Sequence, residues 1–106
     1  MNKYILDENG NAVLENDTLK WAMWYESTFE GPNVRRLAAT KITDSVEVIT
    51  SFLAIDHQWG SGPPLLWETM VFGIEERDEL CDGEDYMWRY STREEAKQGH
   101  ENVVKM

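Results

Sequence analysis

The stretch that most constrains this chain runs from residue 46 to residue 73, V-E-V-I-T-S-F-L-A-I-D-H-Q-W-G-S-G-P-P-L-L-W-E-T-M-V-F-G. Two apolar runs, 46–55 and 65–72, are rich in β-branched and aromatic residues and flank a segment of Gly and Pro. That pattern predicts two strands joined by a loop. Pairing Ile55 with Leu65 sets Ile49, Ser51, Leu53, Trp67, Thr69 and Val71 on one face. Val48, Thr50, Phe52, Ala54, Leu66, Glu68, Met70 and Phe72 then take the other. Both faces are largely apolar, which predicts central strands covered on both sides, at least in part. Glu68 falls beside Phe52 in this register, where a carboxylate needs a partner or an opening to water. The loop 56–64 is longer than a tight hairpin needs and carries Trp59 at its tip.

Other elements follow from punctuation and spacing. Residues 3–14 read as a short arm turning at Asn9-Gly10-Asn11. Asn16 or Asp17 caps a helix over 18–29 that ends at Gly31-Pro32. At helical spacing Trp21, Ala22, Tyr25 and Phe29 share its buried face, and Trp24 lies on the flank. A strand over 34–43, a tight turn at Asp44-Ser45, and a last strand over 85–91 complete the sheet. That last strand places Tyr86, Trp88 and Tyr90 on one face and Met87 and Arg89 on the other. A capping box, Ser91 with Glu94 or Thr92 with Glu95, opens the final helix. Ala96, His100 and Val103 share its inner face, and Gly99 beside them predicts close approach to the sheet. Short links between consecutive strands predict an antiparallel four-stranded meander. The expected fold is α+β, helix–β–β–β–β–helix after an N-terminal arm, with two helices packed on the sheet.

At 106 residues the chain is sized for one domain, 1–106. It has no apolar run near the length of a membrane span, and the opening residues show no leader core before the acids arrive. A lone cysteine, Cys81, fits a reducing cytoplasm. Twenty acids against ten bases give a formal charge of −10. Direct nucleic-acid binding and attachment to anionic membranes are therefore not expected. Such a charge attracts basic protein surfaces, and it is equally the mark of a well-solvated one. The segment 74–85 concentrates the charge, with seven acids against Arg77.

Four blocks, T-S-F-L-A-I-D-H-Q-W-G at 50–60, G-P-P-L-L-W-E-T-M-V-F-G at 62–73, W-A-M-W-Y-E at 21–26 and R-Y-S-T-R-E-E-A-K-Q-G-H at 89–100, carry a resemblance. The chain resembles a family of small uncharacterised proteins encoded by phages and bacterial mobile elements. The resemblance implies a shared fold and that provenance, and it supplies no activity. Association with small phage accessory proteins implies a host-takeover or anti-defence role. The acidic segment 74–85 stands outside the resemblance.

Three readings of function compete. Asp56 and His57, at a strand end facing a Gly-rich loop, with Glu68 across the hairpin, form a candidate acid–base set. Structurally, Asp56 would instead accept hydrogen bonds from loop amides while His57 closes the hairpin mouth. No nucleophile motif, metal signature or phosphate loop accompanies them, so no catalytic assignment, cofactor or metal follows. A pocket for a small anionic ligand such as a nucleotide would be lined by Arg35, Arg36, His57 and Glu68, although the arginines also suit local carboxylates. His100 reads as a core histidine bonded to backbone or carboxylate. The leading expectation is a non-enzymatic binder that antagonises a host protein with a basic surface. Glu75, Glu76, Asp78 and Glu79 would supply the charge, and Trp24, Trp59 and Trp88 the anchors. A virion-associated structural part is the third reading. The oligomeric state is left open.

Overall fold

Residues 2–58, 60–73 and 87–106 are described by the structure, a computed structural model. It is an α+β fold with elements in the expected order. A small hairpin, β1 (Tyr4–Leu6) and β2 (Ala12–Leu14), comes first. Its turn is held by Asp7, whose Oδ1 accepts from the Asn9 and Asn11 amides. Helix α1 (Thr18–Ser27) is capped by Asp17, which accepts from the Leu19 and Lys20 amides and so satisfies two of the free donors at the helix start. The four-stranded sheet is an antiparallel meander, β3 (Arg36–Lys41), β4 (Glu47–Phe52), β5 (Trp67–Phe72) and β6 (Met87–Tyr90). Helix α2 (Arg93–Val104) closes the fold; of the two capping boxes foreseen, Thr92 provides the cap, accepting from the Glu95 amide.

The register of the central hairpin differs from the expected one by a single residue. Phe52 pairs with Trp67 and Ser51 with Glu68, while Ile55 leaves the hairpin to bridge Lys3. The cause is local. The strand ends at Phe52, and buried Ala54 takes a left-handed φ of 69°, which turns the chain toward β1. The Ala54 carbonyl then accepts from the Tyr4 amide and from the Trp21 indole. A one-residue slip exchanges the faces of one strand relative to the other. Val48, Thr50 and Phe52 thus share a face with Val71, Thr69 and Trp67, and Glu68 stands beside Ser51 instead of Phe52. The observed register keeps a carboxylate out of the helix-covered layer.

Helix α2 lies on the Thr50 face, with Ala96, His100 and Val103 buried against it. Gly99 meets Tyr90: a Cβ there would overlap the phenol ring, so the close approach inferred from the sequence is real. Helix α1 packs past the end of the sheet, where Trp24 stands edge-on to Phe52. Phe52, Ala54, Leu66, Trp67 and Ala96 form the core, with Trp21, Tyr25, Leu37 and Tyr90 packed around it. Both helices serve the same face. Among the described residues no helix packs on the other face, where Ile49, Ser51, Glu68 and Met70 are half-buried.

One residue of α1 also departs from the expected pattern. The helix ends at Ser27, two residues early, and Thr28 takes the buried place expected of Phe29, which is 66% exposed. The Thr28 hydroxyl donates to the Tyr25 carbonyl and accepts from Arg35 Nε. These two bonds reward a small polar side chain there.

Candidate functional site

The hairpin mouth places Asp56 and His57 side by side, and each is used by the backbone. Asp56 Oδ1 accepts from the amides of Gln58, at 2.7 Å, and Leu65, at 3.0 Å. This is a side-chain clasp across the loop. The His57 amide donates to the Leu65 carbonyl at 3.1 Å, so among the described residues the mouth is closed by backbone and by Asp56. Glu68 lies three residues further along, about 10 Å at the rise of a strand. Its carboxylate pairs with Arg89 Nε at 3.3 Å, its cross-strand neighbour. The structure thus gives Asp56 and Glu68 separate partners.

The two arginines also part company. Arg35 lies over the rings of Tyr25, at 4.6 Å, and Phe29, at 5.0 Å, and donates to Thr28. Its partners are π faces and a hydroxyl, where carboxylates were expected. Trp21 stacks on Tyr25 and Tyr25 meets Phe29 edge-on, so Arg35 caps an aromatic ladder that ties α1 to the start of β3. Arg36 is exposed and pairs with Ser51 on the face away from the helices. A bulge follows it, and Leu37 packs into the core. Trp24 and Trp88 are both half-buried on the helix side, Trp88 opposite Thr69. Trp59, Glu75, Glu76, Asp78 and Glu79 lie outside the described residues, as do Asp85 and Tyr86 of the expected last strand.

The polar centre that sequence reasoning only half found is built on His100. The ring is buried, with Nδ1 at 2.7 Å from Thr50 Oγ1 and Nε2 at 2.9 Å from Thr40 Oγ1. Thr50 in turn bonds Thr69 at 2.5 Å. The partners of the ring are two strand threonines, with a third behind Thr50, and neither backbone nor carboxylate as expected. The register expected from the sequence set Thr50 and Thr69 on opposite faces; the observed one brings both, with Thr40, to inward positions facing the helix, where apolar residues would ordinarily stand. Hydroxyls donate or accept as required, so either neutral tautomer is satisfied. Burial lowers the His100 pKa below 6.5, and nearby Glu101 opposes this more weakly. The ring is held neutral, a core hydrogen-bonding group at neutral pH. Beside it opens a cavity of about 320 Å³ lined by Thr40, His100, Glu101, Val104 and Lys105.

The uncovered face of the sheet reads in three rows. Lys41, Glu47 and Phe72 form the first. Ala39, Ile49, Met70 and Met87 form the second, and Arg36, Ser51, Glu68 and Arg89 the third. An apolar row is thus flanked by charged ones.

Among the described residues no helix is long and apolar enough to cross a membrane, and no group of three or more His, Cys, Asp or Glu is placed to hold a metal ion. Comparison with protein-family models, with curated proteins and with solved structures finds no match for this chain.

Proposed function

We propose that this chain is a non-enzymatic binding protein that antagonises a basic-surfaced host protein, in the manner of small phage or mobile-element accessory factors. The observation that carries the reading is electrostatic. The chain has twenty acids and ten bases, and between described residues the one ion pair is Glu68 with Arg89. A formal charge of −10 gives the chain an acidic field that a basic partner would neutralise. The positions of Asp56 and Glu68 support the same reading, since each is engaged in a contact that holds the fold. Segment 74–85 is the most acidic stretch of the sequence and the part expected to meet the partner.

The test is affinity capture from host lysate with the wild-type chain and with a variant carrying Glu75→Gln, Glu76→Gln, Asp78→Asn and Glu79→Gln. The expected outcome is a specific partner whose capture weakens with added salt and with the variant, while the melting temperature is almost unchanged. Recovery of no salt-sensitive partner, or equal affinity of the variant at low salt, counts against the reading.

A further inference from the structure

We propose that the cavity beside His100 is a binding site for a small zwitterion of the α-amino-acid type, its ammonium on Glu101 and its carboxylate on Lys105 and the Thr40 hydroxyl. The cavity has a volume of about 320 Å³, at the lower end of the range that small ligands occupy. Val104 gives it an apolar wall, and Glu101 and Lys105 bring opposite charges to it. These two residues lie one turn apart at the end of α2, in the order in which such side chains pair, yet no ion pair joins them. Opposite charges that line one cavity without closing on each other select a guest that carries both. A simple anion would meet Glu101 and a chain of formal charge −10, and a simple cation would meet Lys105. A zwitterion meets each charge with its opposite and leaves the net charge unchanged.

Behind the cavity stands a hydrogen-bond chain that can serve such a guest. Thr69 bonds Thr50, Thr50 bonds Nδ1 of His100, and Nε2 bonds Thr40, which lines the cavity with the ring. The ring is buried and held neutral, so it carries one N–H. With that proton on Nδ1, Thr40 spends its hydrogen on Nε2 and offers the cavity lone pairs alone. With the proton on Nε2, Thr40 accepts from the ring and its own hydrogen is free for a guest. Thr50 then donates to Nδ1, and Thr69 to Thr50. A carboxylate only accepts hydrogen bonds, so its binding selects the second arrangement. His100 is thereby a positioning residue: its tautomer decides whether Thr40 donates.

The test is NMR of the imidazole ring nitrogens near neutral pH, with L-leucine added to about 20 mM, a concentration that fills a millimolar site. L-Leucinamide, which lacks the carboxylate, and N-acetyl-L-leucine, which lacks the ammonium, are the companion probes. The chain has two histidines, so His57 is the internal control. The expected result is a saturable shift at His100 and none at His57, with the proton on Nε2 in the leucine-bound protein. Each companion probe should bind at least about tenfold more weakly, the loss of one charge-assisted hydrogen bond. Glu101→Gln and Lys105→Met alter exposed side chains, so the fold is kept, and each should weaken leucine binding by a similar factor. Thr40→Val removes the hydroxyl and should leave the tautomer of His100 unresponsive to leucine. No saturable response at His100, equal binding of either companion probe, unchanged affinity in both exposed variants, or a bound state with the proton on Nδ1 overturns the proposal. None of these readouts involves a host partner, so they stand apart from the binder reading.

Discussion

Adding one methyl group at Gly99 tests the contact that seats α2 on the sheet. By helix propensity alone, Gly99→Ala stabilises by about 1 kcal/mol. The new Cβ would overlap Oη, Cζ and Cε1 of Tyr90, and ordinary contact requires that something move by about 1 Å. The ring cannot swing freely, since Tyr90 is anchored on β6 and packs against the core around Ala96. Overpacking of this kind costs up to about 3 kcal/mol. The net expectation is a loss of about 2 kcal/mol, a fall in melting temperature of about 10 °C for a domain of this size. A double-mutant cycle isolates the contact. In a Tyr90→Ala background the ring is gone, and Gly99→Ala should gain its full helical preference of about 1 kcal/mol. The coupling between the two sites is then about 3 kcal/mol, at the upper end for residues in contact. Urea denaturation of the four proteins measures it. If Gly99→Ala raises the stability of the wild type, or the cycle shows no coupling, Tyr90 does not stand against the helix as described.

Lowering the pH from 7.5 should destabilise the fold through His100: its folded pKa lies below the unfolded 6.5, so the unfolded state takes up the proton first. The contribution is complete above the unfolded value, falls as pH drops through the folded one, and should vanish from the difference between wild type and His100→Gln across a urea series. Asp56→Ala removes the acceptor of two amides and should cost about 2 to 3 kcal/mol by thermal melting, whereas His57→Ala and His57→Asn should each stay within about 0.5 kcal/mol of wild type. If His57→Asn folds, still binds its partner and yet loses host-directed activity, a proton-shuttling role is restored and the binder reading fails. Tyr90→Phe deletes a buried hydroxyl with no hydrogen-bond partner among the described residues and should raise stability by about 1 kcal/mol.

Much of the fold was legible because its signals are local. Asp17, Thr92 and the Asn9-Gly10-Asn11 turn announce themselves by short-range hydrogen bonding, which a sequence displays directly. The inner face of α2 follows from period alone, and Gly99 from its cost in a helix interior. Register was less accessible, because it was decided by Ala54, a residue with no visible preference for positive φ. The fate of Phe29 was hidden for a similar reason. Helical spacing puts it on the buried face, and only the pairing of Thr28 with Arg35, seven residues away, shows why the smaller side chain won. At the hairpin mouth, residue types alone suggested an acid–base set. The other reading, Asp56 as acceptor of loop amides, is the one its hydrogen bonds match, while Glu68 is engaged by the arginine that β6 brings opposite it. Gln58 lies two residues from Asp56, within the range that local pattern displays, whereas Arg89 is 21 residues from Glu68 and reaches it only through the pairing of β5 with β6.

The unequal cover of the two sheet faces is informative, because the strands carry apolar residues on both. The strands β4 and β5 are apolar on both sides: Val48, Phe52 and Trp67 on one, Ile49, Met70 and Phe72 on the other. Two helices were available to cover them, and the fold spends both on the same side. The reason lies in connectivity. Trp21 donates to the carbonyls of Tyr4 and Ala54, which fixes α1 beside the N-terminal hairpin at the end of the sheet. The short link from Tyr90 through the Thr92 cap delivers α2 directly onto the face of Thr50 and Thr69. With both helices committed, Ile49 and Met70 are only half-buried on the outer side, and Leu19 and Met23 stand exposed on α1, as Phe72 does at the end of β5. Burying such side chains is worth about 1.5 to 3 kcal/mol each when complete. A chain that carries several of them exposed has kept a driving force for association that folding did not use.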